Sequence, residues 1–221
     1  DANLIEVVVK YNLNNIDSSN KLTYSINSKG VLNVKNEFIY GGKLNDAQMP
    51  RFGMNFIMPK EYNNVIWYGR GPHENYSDRK SSAFVGLYNN LVEDLDFEYS
   101  RPQENGYRTD VRWLKVLNKN NVGFEIIGEP LVSFSAHYNT IEDFDDGLSP
   151  KKPGENVGAR KRIVKKQRKP IDVPKRDFIS LNIDLKQMGV GGDNSWGART
   201  LKKYTIEPGN YTFSYVIKPI N

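Results

Sequence analysis

The chain contains no cysteine, which excludes disulfides, Cys–zinc sites and thiol catalysis together. Lack of Cys suits a reducing compartment, but many exported proteins also lack it, so cytoplasm and periplasm both stay open. No apolar run approaches the ~20 residues of a membrane span, and no signal-peptide core opens the chain, so no membrane partner is expected. The chain starts at Asp1 rather than Met, as a processed piece of a longer product would. Helical periodicity is almost missing as well. Its best candidate, Ser81 to Leu95, carries Gly86 and an Asn89-Asn90 pair and makes a weak helix. Histidine occurs twice, and His137 falls on a strand pattern, where a structural role is expected rather than a ligand.

What is present favours strands. Thirteen Tyr, ten Phe and three Trp among 221 residues supply flat amphipathic rings that fit a half-buried pleated surface. Leu22, Tyr24 and Ile26 alternate before a Ser28-Lys29-Gly30 turn, and Phe52, Met54, Phe56 and Met58 alternate after Pro50. Tyr107, Thr109, Val111 and Trp113 are expected on one face, with Arg108, Asp110 and Arg112 on the other. Asn118 to Asn121 reads as a turn into Val122, Phe124 and Ile126. Ile179, Leu181, Ile183 and Leu185 form another strand, and Tyr211, Phe213, Tyr215 and Ile217 a closing one after Pro208-Gly209. Strands without intervening helices predict an all-β fold, antiparallel sheets packed as a sandwich, and exclude a (β/α)₈ barrel. One domain, 1–221, is expected, with a long irregular insertion at about 147–176.

Charge is concentrated. Residues 151–169 hold nine Lys or Arg against Glu155, a local balance of +8 that leaves −3 for the rest of a chain whose net charge is +5. Such a tract could face nucleic acid, but no aromatic interleaves it, as a stacking platform requires, so a solvated loop is the simpler reading. The acidic run Glu142-Asp143-Phe144-Asp145-Asp146-Gly147 lacks the spacing of a calcium loop and is read as a counterweight to that tract.

Three segments look unlike ordinary strands or turns. Trp67 to Arg79 (WYGRGPHENYSDR) ends a strand in a Gly-Arg-Gly-Pro turn and enters a polar, aromatic loop. Arg101 to Arg108 (RPQENGYR) is the second. In the third, Met188 to Gly197 (MGVGGDNSWG), Gly189, Gly191 and Gly192 give the backbone unusual freedom and Asp193, Asn194 and Ser195 can fix it locally. Trp196 on such a loop could stack on a sugar or serve as a core plug. His73, Glu74, Asp78 and Glu104 are possible acids or bases. A glycosidase needs two opposed carboxylates, and Glu74 with Glu104 is the pairing to test. The competing expectation is that Arg70, Arg79, Arg101 and Arg108 tie these acids into ion pairs between loops.

Together these segments resemble the C-terminal, small-chain domain of the large β-galactosidases of glycoside hydrolase family 2. Met49-Pro50-Arg51-Phe52-Gly53-Met54 is similar to the family's PR-x-G strand, and Trp67 to Arg79 to its W-x-G-x-GP-x-ENY-x-DR segment. Pro102 to Arg108 is similar to P-x-ENG-x-R and Met188 to Trp196 to MG-x-GGDDSW, with Asn194 where Asp is common. The resemblance spans roughly residues 49–217. It implies a galactose mutarotase-like supersandwich, truncated here at its N-terminal edge, with an exposed strand near Leu4 to Tyr11 as a route to association. It also implies retaining hydrolysis of terminal β-D-galactosides such as lactose, by two Glu on a separate (β/α)₈ barrel that also holds Mg²⁺, and Na⁺ in some members. No catalytic residue and no metal ligand carries over to this chain. What carries over is Trp196 as a substrate-stacking wall, with Asp193 and Asn194 beside it and Gly191 and Gly192 positioning it. The partners implied are the barrel domain, a β-galactoside and further copies in a homo-oligomer. Nucleic acid is not among them. Three other readings follow in order: a freestanding carbohydrate-binding module, an independent epimerase or hydrolase using Glu74, Glu104 and His73, and an electrostatic nucleic-acid binder.

Overall fold

Alternating apolar residues need a second surface to cover them, and here the sheet provides it by folding over itself. The computed structural model describes residues 3–43, 49–144, 169–192 and 198–221. Among these residues the chain forms ten strands: β1 (Leu4–Leu13), β2 (Ser18–Asn27), β3 (Leu32–Ile39), β4 (Arg51–Pro59), β5 (Asn64–Gly71), β6 (Phe84–Leu91), β7 (Arg108–Leu117), β8 (Gly123–His137), β9 (Phe178–Gln187) and β10 (Tyr211–Ile220). Every pairing is antiparallel. The described residues contain short 3₁₀ turns and no α-helix. The fold is all-β.

The strands run in the order β1-β2-β3-β10-β8-β7-β5-β6, and β4 joins through β9 to β8. Strand β8 is where the sheet branches. Its first half, Gly123–Glu129, pairs with β10, and its second half, Ser133–His137, pairs with β9. Between the halves Pro130 offers no N–H to a ladder, and a Cβ on Gly128 would lie 2.6 Å from the Val132 nitrogen, so the strand makes a tight bulge there before running on beside β7. The β4–β9 wing consequently lies over the β3–β10 wing. Phe52 sits 6.1 Å from Phe38 and 5.5 Å from Tyr211, centroid to centroid, and Phe56 meets Tyr215 edge-on at 6.2 Å. These contacts are the seam of the sandwich. Beside it Trp67 is fully buried between Phe134 at 5.6 Å and Tyr88 at 5.3 Å.

Three local expectations change. Ser81 to Leu95 is not a helix: Phe84–Leu91 is β6, paired with β5 from Asn64↔Leu91 to Gly71↔Phe84, and only Val92–Asp94 makes a 3₁₀ turn. Sheet hydrogen bonds to an existing strand outweigh a helical propensity that two Asn and a Gly already weaken. In β7 the apolar phase slips. Asp110 takes φ +54°, the β7–β8 register shifts on both sides of Val111, and the buried series becomes Val111, Leu114, Val116, leaving Trp113 half-buried against Tyr68. In β9 both faces are buried, including Ser180, Asn182 and Asp184. The Asn55 amide donates to Ser180 Oγ at 2.8 Å and Asn182 Oδ1 at 2.9 Å, and the Asn182 amide to Ser135 Oγ at 3.1 Å, so Ser180 and Asn182 are satisfied by neighbouring strands, whereas the Asp184 carboxylate has no such hydrogen bond.

Candidate functional site

The site begins where the start of β4 lies beside the end of its antiparallel neighbour β9. Arg51 pairs with Gln187, a bulge falls between Phe52 and Gly53, and Gly53 then lies opposite Asp184. A Cβ on Gly53 would come within 1.9 Å of Asp184 Oδ1 and 2.6 Å of its Cα, so only glycine fits beneath that carboxylate. Arg51 reaches across the junction. Its Nε lies 3.2 Å from Asp184 Oδ2 and donates to Gln187 Oε1 at 3.1 Å, and its Nη2 donates to Glu104 Oε1 at 2.9 Å. Asp184 is fully buried, and burial pushes its carboxyl up to about 7 although Arg51 pulls the other way. The Tyr107 phenol beside it is pushed well above its usual value, first by burial and then by the charge of Asp184.

The loop after β5 is cross-braced by its own polar residues. Glu74 Oε2 accepts from the Gly106 N–H at 2.8 Å, and Oε1 accepts from Arg79 at 2.9 Å and from the Tyr99 hydroxyl. Buried Asn75 accepts from the Thr109 N–H at 2.9 Å and hydroxyl at 2.7 Å, while its own N–H donates to the Tyr107 carbonyl at 2.7 Å. Tyr76 stacks on Tyr107 at 5.4 Å, and the Arg79 guanidinium lies over the Tyr76 ring at 4.7 Å. Gly106 sits at φ +72°, and a Cβ there would strike His137 at 2.8 Å. Thus the ENY and ENG triplets clasp each other.

Asp78 then holds the glycine-rich segment. Its Oδ2 accepts from the Gly191 N–H at 2.7 Å and its Oδ1 from Val190 at 3.3 Å, with the Thr200 hydroxyl 3.4 Å away. Gly189 leaves room for it, since a Cβ there would fall 2.6 Å from the Asp78 carboxyl carbon. Met188 N donates to the Pro50 carbonyl at 2.9 Å and Gly189 N to that of Tyr204 at 2.8 Å. Gly192 and Ala198, which flank residues 193–197, lie against each other: a Cβ on Gly192 would meet the Ala198 carbonyl oxygen at 2.3 Å. Next to this anchor opens a cleft of about 540 Å³, walled by Arg51, Arg79, Tyr99, Glu104, Met188–Gly191 and Ala198–Thr200. A neighbouring cavity of about 340 Å³ shares Tyr99 and Gln103 with it.

The structure brings together three of the segments singled out by sequence. Glu74 and Glu104 are both in ion pairs, Glu74 with Arg79 and Glu104 with Arg51. Two of the other arginines have different partners from those expected: Arg70 pairs with Asp110, and Arg108 donates to the Leu95, Gly106 and Pro72 carbonyls. Buried among them and stacked 5.7 Å from Trp67, the Arg108 guanidinium is lowered by desolvation to about 10. His73 is exposed, with Nε2 3.1 Å from Ser82 Oγ. His137 is buried, bonded to Asp96 and, at 3.1 Å, to the Asn105 carbonyl. Asp143 holds Arg176 with both oxygens, at 2.6 and 3.0 Å. Among the described residues, no three His, Asp or Glu side chains converge as a metal site would require. Trp196, Asp193 and Asn194 lie outside the described residues, as does the 151–168 part of the basic tract, whereas Gly191 and Gly192 border the cleft's anchor. Sequence reading overlooked Asp184, Gln187 and Tyr99. The available signal for Asp184 was a lone acid in the run Ile183-Asp184-Leu185, beside a buried alternation.

Residues 1–217 match the family model described as β-galactosidase small chain, and the chain belongs to that family. It is similar to the β-galactosidase of Priestia megaterium, 33% identical over 99% of this chain and 19% of the relative. The β-galactosidase of Halalkalibacterium halodurans is 32% identical over 85% of this chain and 17% of its own length. The chain therefore spans less than a fifth of these relatives. Among solved structures, a GalM/aldose epimerase homologue from C. elegans is similar over 100% of this chain and 67% of its own, at 8% identity and a TM-score of 0.41.

Proposed function

We propose that the chain is the C-terminal, small-chain portion of a retaining β-galactosidase and forms one wall of its active site. Terminal β-D-galactosides are its substrate class. The carboxylates that cleave the glycosidic bond, and the ligands for Mg²⁺ and Na⁺, belong to a separate barrel domain. That barrel is the chain's partner, and the whole assembles as a homo-oligomer. One observation carries the reading: Asp78 fastens Gly191 by a 2.7 Å hydrogen bond beside a cleft of about 540 Å³. In this reading Trp196 stacks on the sugar and Asp193 and Asn194 bind beside it, as the family resemblance implies. The carboxylates lining this wall support the same division of labour. Glu104 is bound by Arg51, and neighbouring Glu74 by Arg79, so both act as braces between loops.

Complementation tests this. The chain is assayed for nitrophenyl β-galactoside hydrolysis alone and together with the upstream part of a β-galactosidase. Inactivity alone, activity on mixing, and a raised KM with Trp196→Ala are expected. Turnover by the isolated chain would overturn the reading and make Glu74 and Glu104 the next residues to replace. Galactoside binding by the isolated chain would favour a freestanding carbohydrate-binding module.

A further inference from the structure

Arg51 is the first residue of β4 and Gln187 the last of β9, and a bulge sets them opposite each other. Counted back from Gly53↔Asp184 without interruption, Arg51 would face Lys186, a like charge. The register shift between Phe52 and Gly53 leaves Leu185 without a partner on β4, so Phe52 takes Lys186 and Arg51 takes Gln187. A one-residue slip also moves side chains across the sheet. Asp184 and Gln187, which unbroken alternation would place on opposite faces, therefore come to the face that Arg51 occupies.

The guanidinium takes hold of both, and of a third group beyond them. Its Nε lies 3.2 Å from Asp184 Oδ2, Nε and Nη2 donate to Gln187 Oε1 at 3.1 and 2.5 Å, and Nη2 donates to Glu104 Oε1 at 2.9 Å. Its Cζ lies over the Tyr107 ring, 5.6 Å from the centroid, and the side chain is only 16% exposed. Desolvation acts to lower its basicity, but the carboxylates of Asp184 and Glu104 outweigh burial and hold it above its ordinary value, so the charge is kept. Gln187 leads directly into Met188–Gly191, whereas Glu104 lies in the segment before β7, and both line the cleft of about 540 Å³. The Met188 N–H is bonded to the Pro50 carbonyl at 2.9 Å. The start of β4 thus grips the glycine-rich segment by backbone at Pro50 and by side chain at Arg51, and that side chain also reaches the Glu104 wall.

We propose that Arg51 is a positioning residue for β-galactoside binding: acting through Gln187, it fixes the spacing between the Glu104 wall and the Met188–Gly191 wall, a role that rests on reading this cleft as part of a β-galactosidase active site. Arginine suits the task because its planar fork engages partners on separate elements at once, which the point charge of lysine does not. Gln187 suits it because a neutral acceptor adds no third carboxylate to the pair already facing the guanidinium.

Amide hydrogen exchange on the 221-residue chain and steady-state kinetics of the enzyme complemented with its upstream part test the role together. Gln187→Met keeps the length of the side chain and leaves Arg51 to Asp184 and Glu104. It should speed exchange of the Met188 and Gly189 amides about tenfold. It should also raise KM for nitrophenyl β-galactoside about three- to tenfold, with kcat within about twofold of wild type. Arg51→Lys keeps the charge beside Asp184 and should raise KM as much. In the double variant the two effects on KM do not add, since one acts through the other. Additive effects would mean that Arg51 touches the sugar itself and overturn the positioning role. If urea unfolding shows that Arg51→Lys does not fold, Gln187→Met decides alone. Unchanged exchange in that variant, or faster exchange with KM unmoved, overturns the role while the active-site reading stands. A wild-type chain that restores no activity on mixing refutes that reading, and the role with it.

Discussion

Replacing Asp184 with Asn removes a proton-binding site from the interior while keeping the shape of the side chain. The carboxyl is fully buried, and burial outweighs the attraction of Arg51 Nε at 3.2 Å, so it titrates in the folded protein at about 7 against an ordinary 3.8. The sign follows directly. Below the ordinary value both folded and unfolded chains hold the proton, and the neutral carboxyl contributes its full stability. As pH rises toward 7, the unfolded chain releases that proton while the folded protein retains it, and the contribution is lost by the time pH has passed through the folded value. The interval corresponds to a ceiling of about 4 kcal/mol. Breaking the contact with Arg51 takes part of this back, although Glu104 and Gln187 continue to hold the guanidinium. Asp184→Asn is therefore expected to gain about 2–3 kcal/mol on wild type between pH 4 and pH 8. Urea unfolding followed by tryptophan fluorescence across that range measures it. Asp143, held low chiefly by its hydrogen bond from Arg176, and Asp110, where Arg70 and Lys80 overcome burial, drive acid destabilisation in both proteins and cancel in the difference. A difference that stays flat with pH, or that turns against Asn as pH rises, would refute the reasoning.

Gly53→Ala should destabilise the fold by at least about 3 kcal/mol in the same assay, because its Cβ would lie 2.6 Å from the Cα of Asp184. Shortening Asp184 to Ala should not fully rescue it, since the clash includes backbone. Asn75→Ala should cost about 2–3 kcal/mol, leaving the buried Thr109 N–H and hydroxyl without their shared acceptor; Asn75→Asp, which keeps that oxygen, should cost less. In the complemented enzyme, Asp78→Ala should raise KM about tenfold with kcat less affected, because the Gly191 anchor is lost while the cleft's other walls remain. A KM unchanged by Asp78→Ala would detach the glycine-rich segment from substrate binding.

Period-2 alternation was enough to locate β2, β4, β9 and β10, because each presents an apolar row to the core, and side-chain direction alternates along any strand. It failed where a strand's partner sets its state. Phe84–Leu91 is extended because β5 lies beside it, and the phase of β7 slips at Asp110, where φ +54° inserts a bulge. Neither effect leaves a periodic signature. The site divides in the same way. Clusters of Gly, Asn, Glu, Tyr and Arg marked the loops, since such compositions are neither strand nor ordinary turn. The pairings inside them were not legible. Arg51 meets Glu104 across 53 positions and Gln187 across 136, and Asp78 meets Gly191 across 113.

By itself the sequence determined the fold class and the segments in which polar chemistry gathers, both local properties of composition and spacing. Tertiary structure alone decided that β8 would branch the sheet, which carboxylate each arginine would hold, and that Asp184 would be buried beneath a glycine. Those outcomes depend on residues far apart in the chain competing for one another's hydrogen bonds, and a one-dimensional pattern carries no record of which competitor wins.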